Sequence, residues 1–390
     1  RRFEVGIQFV DTRPQVRTGL EQLAKFGYIK AKKQAASRDV HSEPLQAAVQ
    51  VEDLSLADVP AKRLGQVRLE SPGQVPIAFE IPYDATDIDS RHSYAVRAKI
   101  LVGGELMFTT DGFSVKPLEF PGGNIGSPAV HGTTNDLAVA GATPRYLSLN
   151  AFIEEGFEVE KLDRIIASLA ASAKALNVEV AAGDTKVLPR GEGGGLYLAT
   201  TGVGVRDKNI KLGLKRIETG DKILVSGPIG DHGICVMLAR EQFGLHGELL
   251  SDAASVLSLT TALLNLNKLH FMRDPTRGGL ATVAHEVALA CDKNVILEQP
   301  QIPIRDTVQS VCDILGYDPM YLACEGRVVA IIGANQADEA LNMWQQLPER
   351  KDAAIIGEIR EGKPFVTLRT ELGGERILEE LEDDPLPRIC

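Results

Sequence analysis

The sequence predicts an α/β (α+β) chain of two lobes, with a β-rich segment in front and an extended tail behind. Three observations predict it. From Asp111 onward, helix-like apolar periods alternate with short strand-like runs. Residues 46–110 instead carry period-two alternation and no helical period. The chain ends "PLPRIC" (385–390), where Pro385 and Pro387 favour an extended, semi-rigid segment that presents Cys390.

Each element follows from its own pattern. Residues 1–45 form a basic lead-in, with an amphipathic helix expected over 13–36 that reads equally well as a solvated face. Within 46–106, "IAFEIPY" puts Ile77, Phe79, Ile81 and Tyr83 on one face. "YAVRAKILV" alternates Tyr94, Val96, Ala98 and Ile100 against Arg97 and Lys99, and Gly103-Gly104 turns the chain into "ELMFTTD". Residues 107–216 make the first α/β lobe. Its helix over 158–178 aligns Leu162, Ile165, Ile166, Leu169, Ala173 and Leu176, and a strand follows at 194–205. "IETGD" (217–221) marks the start of a second lobe, 217–378, with strands at 221–227, 327–334 and 353–359. The tail is 379–390.

Composition excludes several classes. A net charge of -11 argues against a general nucleic-acid binder, which needs clustered Lys and Arg. No apolar run reaches the roughly 18 residues that span a membrane, so no membrane partner is expected. The five cysteines are scattered and contain no CxxC pair. That argues against a disulfide framework and a structural zinc site, and it points to a reducing cytoplasm.

Three aspartates stand out: Asp111 in "TTDGF", Asp136 in "GTTNDLA" and Asp184 in "AAGDTKV". Each is expected in a small loop after a strand, where carboxylates hold Mg²⁺ against nucleotide phosphates. Each alone reads first as a helix cap or turn residue, and the metal reading gains from the three together. Asn135 and Lys186 lie beside two of them. "FPGGNIG" (120–126), with Gly122 and Gly123, and "RDPTRGGL" (273–280) are glycine-bearing loops that open helices, which suits phosphate binding through backbone N–H groups. Neither is a P-loop. Glu325 in "LACEGRVV" sits among apolar residues, a setting that raises a carboxyl pKa and suits a general base; a salt bridge to Arg327 is the plainer alternative. His232 in "GDHG" reads as a cap, or with Cys235 as half of a metal site. Cys390 needs a cationic partner to become a thiolate, and Arg388 or Lys186 are the candidates.

Two resemblances add to this. Residues from "LSLADVPAKRLGQ" through "PYDATDIDSRHSYAVRAKI" resemble the small β-domain of YbaY-like lipoproteins, which implies no catalysis. From about Met107 to Cys390 the chain resembles the HypE family of hydrogenase maturation proteins. The matching stretches are "FTTDGFSVKPLEFPGGNIG", "GTTNDLAVAGATPRYLSLNAFIEEGF", "AAGDTKVLPRG", "VSGPIGDHG", "RDPTRGGLATVAHEVA", "CEGRVV" and the terminal "PRIC". The resemblance implies the two-lobed aminoimidazole ribonucleotide synthetase-like fold, a homodimer, and ATP with Mg²⁺ as cofactors. It implies that Cys390 accepts a carbamoyl group from a HypF-like carbamoyltransferase, and that ATP-dependent dehydration turns the group into a thiocyanate. The cyanide would then pass to iron on a HypC–HypD complex, for a [NiFe] hydrogenase.

Under that resemblance Cys390, Glu325 and Lys186 are catalytic, as carrier, base and stabiliser of charge on the oxygen. Asp111, Asn135, Asp136, Asp184, Gly122 and Gly123 bind the nucleotide, with the three aspartates on the metal. Residues 1–106 lack the His- and Gly-rich opening segment typical of HypE-like chains, and the two patterns meet at "TTD" (109–111). Two alternatives therefore stay open: a scaffold that binds maturation partners without turnover, and a small-molecule kinase or synthetase of the same superfamily.

Overall fold

The computed structural model describes residues 105–240, 248–348 and 351–380, together with the backbone of strands 46–53, 62–70 and 94–101. The helix expected over 13–36, the "IAFEIPY" strand, the Gly103-Gly104 turn and Cys390 lie outside the described residues. The chain divides into two units, Arg1–Leu106 and Met107–Cys390.

In the first unit β1 (Gln46–Asp53), β2 (Lys62–Glu70) and β3 (Tyr94–Leu101) form an antiparallel sheet of order β2-β1-β3. β3 coincides with the alternating "YAVRAKIL" run.

The second unit begins along β4 (Glu105–Phe113). A small hairpin follows, β5 (Glu119–Phe120) and β6 (Gly123–Asn124), turning through Pro121 and Gly122. Gly122 has φ +91°, which suits the third position of a turn that has proline second. Next come α1 (Gly126–Val139), β7 (Ala142–Glu154), α2 (Val159–Ala175), β8 (Glu179–Leu188) and β9 (Leu196–Arg206). The sheet runs β4-β9-β7-β8, with β7 and β8 parallel. α2 buries Ile165, Leu169 and Ala173 as its period predicts, while Ile166 is 39% exposed at the edge of the stripe.

The second lobe contains β10 (Lys222–Val225), α3 (Asp231–Ala239), α4 (Leu257–Leu263), β11 (Leu269–Arg273), α5 (Gly279–Cys291), β12 (Asn294–Glu298), α6 (Asp306–Leu315), β13 (Val329–Ile332), α7 (Ala337–Gln345), β14 (Ala354–Arg360), β15 (Val366–Arg369) and β16 (Glu375–Ile377). Its sheet runs β11-β13-β10-β14-β12-β15-β16. The expected strands at 221–227, 327–334 and 353–359 are β10, β13 and β14. No helix among the described residues is long and apolar enough to cross a membrane.

Two features of this architecture set up the functional site. The first sheet has unlike faces. Leu196, Leu198, Thr200 and Gly202 of β9 are buried towards α1, whereas Tyr197, Ala199, Thr201 and Val203 alternate onto an open face. In addition, α1 is buried on nearly every side, as befits a helix clamped between layers. Its last turn places Ala138 and Val139 in the same core as Leu224, Leu259 and Leu263 of the second lobe. The helix therefore belongs to both lobes.

Candidate functional site at the lobe junction

The expected loop positions of the three aspartates are corrected by the structure. Asp111 lies within β4, Asp136 within α1 and Asp184 within β8. Glycine-flanked polar residues resemble loops in one dimension; here pairing and packing carry them inside regular elements.

Thr109, Asp111 and Phe113 alternate onto the α1 side of β4, and Thr133 and Asp136, three apart on α1, meet them. The Thr133 hydroxyl donates to Asp111 Oδ2 at 3.0 Å, and the Thr109 hydroxyl donates to Asp136 Oδ2 at 2.7 Å. Thr133 and Thr200 also share a short hydroxyl contact. Burial holds the Asp111 carboxyl above its ordinary range, with the Asp136 charge adding to the rise; the Thr133 bond and Arg273 pull the other way. The two aspartates form one acidic locus on the first lobe.

The second lobe brings further carboxyls to this locus. Asp274, at the end of β11, is 5% exposed and pushed up to about 7, first by burial and then by the Asp136 charge. Glu325 is 3% exposed, and its Oε1 has no hydrogen-bond partner among the described residues. Burial drives its pKa well above normal, followed by the charges of Asp252, Asp274, Asp111 and Asp136. Burial and the neighbouring like charges both favour the protonated form of this carboxyl.

The alternative salt bridge from Glu325 to Arg327 is not formed. Arg327 Nη2 pairs with Asp231 at 3.1 Å, and its Nε donates to the Pro228 carbonyl at 2.7 Å and lies 3.5 Å from Asp252 Oδ2.

Other predicted residues go elsewhere. Asp184 pairs in register with Asn150, and Lys186 with Phe152, so both stand exposed on the open face of the sheet. Asp111 is on the covered face and three strands away, about 14 Å at the usual strand spacing. Within one chain, Asp184 therefore does not share an ion with Asp111 and Asp136. The reason is register, since neighbouring strand residues point to opposite faces.

Asn135 is buried, and its amide is spent on backbone of the second lobe. Gly122 and Gly123 sit in the hairpin held against the second lobe. The Pro121 carbonyl accepts from Ser251 N–H at 3.0 Å and from Cys235 Sγ at 3.1 Å. A Cβ on Gly122 would lie 2.9 Å from Ser251 N, so this approach requires glycine. His232 pairs with the Ser251 hydroxyl at 2.7 Å and packs edge-on against Phe120, which fixes the same contact. Among the described residues, His232 and Cys235 join no metal-type cluster.

Sequence reasoning missed Asp274, Asp252 and Asp231. Asp274 had a signal, an acid directly after an apolar strand and before "PTRGG", but that stretch was read only for its backbone. Asp252 had none, because its partner Glu325 lies 73 residues away.

The donors at the junction fit a hard divalent cation. Asp111, Asp136 and Asp274 supply carboxylate oxygens whose mutual repulsion a cation would relieve. They are not among the groups whose ligand atoms all lie within 4.8 Å. One Mg²⁺ would therefore take part of this set directly and the rest through water or phosphate oxygens.

Comparison with known proteins identifies this arrangement. Residues 95–206 match the model of the AIR synthase related protein N-terminal domain, and residues 218–369 that of the C-terminal domain. Residues 41–115 match the type III secretion system lipoprotein chaperone (YscW) model. The carbamoyl dehydratase HypE of Bradyrhizobium diazoefficiens is 42% identical over 290 residues, 74% of this chain and 84% of that protein. A crystal structure of the hydrogenase maturation protein HypE in complex with ATP is 38% identical with TM-score 0.71, over 75% of this chain and 90% of that one. HypE in a HypE–HypF complex is 39% identical with TM-score 0.69, over 71% and 90%.

The class is thus the two-lobed AIR synthase-related fold, with its acidic site where the lobes meet. Within that class, the chain belongs to the HypE family.

Proposed function

We propose that this protein is an ATP-dependent carbamoyl dehydratase, converting an S-carbamoyl group on Cys390 into a thiocyanate that supplies cyanide for [NiFe] hydrogenase assembly. The observation that carries the proposal is Glu325, a buried carboxyl with an unpartnered oxygen among the nucleotide-side aspartates, in a chain that carries "PRIC" at 387–390. HypE relatives that bind ATP and that form a complex with HypF support the nucleotide and the carbamoyl donor.

The chemistry must remove oxygen from an amide, which is a poor leaving group until phosphorylated. The carbamoyl oxygen attacks the γ-phosphoryl group and ADP leaves. Two N–H protons are then lost, the C–O bond breaks, and phosphate departs as C≡N forms. The balance is S-carbamoyl plus ATP giving S-cyano, ADP, hydrogen phosphate and one proton, the second N–H proton leaving on the phosphate. Asp111, Asp136 and Asp274 hold the metal side. Bound there, Mg²⁺ would offset the charge of the carboxylates and the triphosphate, which lets Glu325 ionise. Ionised Glu325 then takes an N–H proton, with its free Oε1 as the accepting atom.

Asp184 and Lys186 share the open face with Phe108, which is 61% exposed, and Phe152. An apolar face of this kind fits a homodimer in which two open faces stack, and Lys186 then acts at that interface on the group that the tail delivers. HypC–HypD is the proposed acceptor of the cyanide.

Mass spectrometry of the C-terminal peptide after incubation with HypF, carbamoyl phosphate and Mg-ATP tests the proposal. The expected adduct on Cys390 is a carbamoyl group less one water. An unmodified Cys390, or a carbamoyl adduct that ATP never dehydrates, overturns it.

A further inference from the structure

We infer that Asn135 is the positioning residue for Glu325. It acts by clasping the two second-lobe segments that fix the base, and it does not bind nucleotide. The inference rests on the role proposed above for Glu325.

The geometry is specific. Asn135 Nδ2 donates to the Glu325 carbonyl at 3.2 Å and to the Ala254 carbonyl at 3.0 Å, while its Oδ1 accepts from Val256 N–H at 2.9 Å. Both amide protons are therefore used, and no donor remains for a phosphate oxygen.

Glu325 depends on such restraint, because its free Oε1 leaves its placement to the backbone. That backbone is held from two sides. Its N–H donates to Asp252 Oδ1 at 3.1 Å, and its carbonyl receives Asn135. Next to it, Gly326 passes so close under the Asp252 carbonyl that a Cβ would lie 2.0 Å from that oxygen. Segments 251–256 and 323–327 thus form one locked unit, and Asn135 ties that unit to α1.

The neighbouring residue completes the device. Asp136 turns about 100° around the helix and meets Thr109 on the first lobe. One dipeptide therefore sets the base of the second lobe in register with the carboxylates of the first. The clasp sits directly before the last turn of α1, and that turn is embedded in second-lobe core, so a shift of either lobe is transmitted to Glu325.

Asn135→Ala and Asn135→Asp test this, each alone and combined with Glu325→Gln. Asn135→Asp keeps the volume and the acceptor for Val256, but sets a carboxylate against two carbonyls. Single-turnover dehydration of carbamoylated Cys390 should fall about 10- to 100-fold in both variants, the scale of a catalytic group displaced by an ångström. The Kd for Mg-ATP should stay within about threefold, and each double variant should be no slower than Glu325→Gln alone, as for residues acting through one group.

A roughly tenfold rise in Kd would make Asn135 a nucleotide ligand and overturn the inference. So would losses that multiply with those of Glu325→Gln, or unchanged rates. Should Asn135→Ala not fold, the isosteric Asn135→Asp carries the same comparison. Hydrogen exchange separates the two readings: faster exchange at the Val256 amide in Asn135→Ala, which removes its acceptor, with α1 amides unchanged, is expected whether or not the chain dehydrates anything. If the unmutated chain makes no thiocyanate, the proposed function fails; if exchange at Val256 is unaltered in Asn135→Ala, the clasp fails.

Discussion

Asp231 and Glu325 flank the same stretch of the second lobe, and they are buried almost equally, at 2% and 3% exposure. Their surroundings are opposite. Asp231 Oδ2 receives Arg305 at 3.0 Å and Arg327 at 3.1 Å, so the arginines counter the upward push of burial. Each keeps one buried oxygen without a partner among the described residues, Asp231 Oδ1 and Glu325 Oε1, but the charges that act most strongly on Glu325 are all carboxylates. Burial alone therefore does not separate an anchor from a reactive group; the sign of the neighbouring charge does. Asp231 is tied to two arginines, and Glu325 is the carboxyl that the proposed function uses as its base.

The most severe test of this contrast is Glu325→Gln. Dehydration should fall about 10²- to 10⁴-fold, the usual worth of a general base. Stability should be unchanged or slightly higher, because an unpaired buried acid is replaced by an amide. A melting temperature that drops sharply would mean that Glu325 is an anchor after all. Asp231→Ala should do the reverse. Losing the counterion of two arginines, one of them buried, should cost about 3–5 kcal/mol of stability, read from urea denaturation. A cost below about 1 kcal/mol, the worth of a surface pair, would remove the contrast.

The pH dependence of the metal-free protein sharpens the comparison further. Asp274 has a folded pKa of about 7, above its unfolded value near 3.8. A raised acid contributes stability that is fully present below the unfolded pKa and is lost as pH rises through the folded one. Stability should therefore decline between about pH 4 and pH 7, and Asp274→Asn should flatten that slope in denaturation curves. An equally steep slope in the variant would assign it to other groups. The smallest expected effect is on the open face. Lys186→Ala should leave the Kd for Mg-ATP within about threefold while lowering turnover. A nucleotide affinity that collapses would place Lys186 at the acidic locus.

Much of this was legible in the chain. The period of α2, the alternation of β9 and the continuous apolar runs of β10, β13 and β14 are local patterns, which a sequence displays directly. Asp111, Asp136 and Glu325 stood out by residue type and setting, and the structure gathers these three. Asp184 did not join them because a strand's face depends on register, and one residue of slip reverses it. Asn135 looked like a nucleotide ligand through adjacency to Asp136, yet on a helix adjacent residues point about 100° apart. Asp252 and Asp231 gave no signal, since their partners are far away in sequence.

The sequence by itself determined the alternation of elements, the likeness to a family of known chemistry, and which residue types were available as base, metal ligands and carrier. Those properties are local, or are written in motif order. The tertiary structure alone decided which carboxyls share a site, which one is surrounded by like charges, and that Asn135 holds the two lobes in register. Electrostatic pairing falls off over a few ångströms in space, and separation along the chain does not measure that distance.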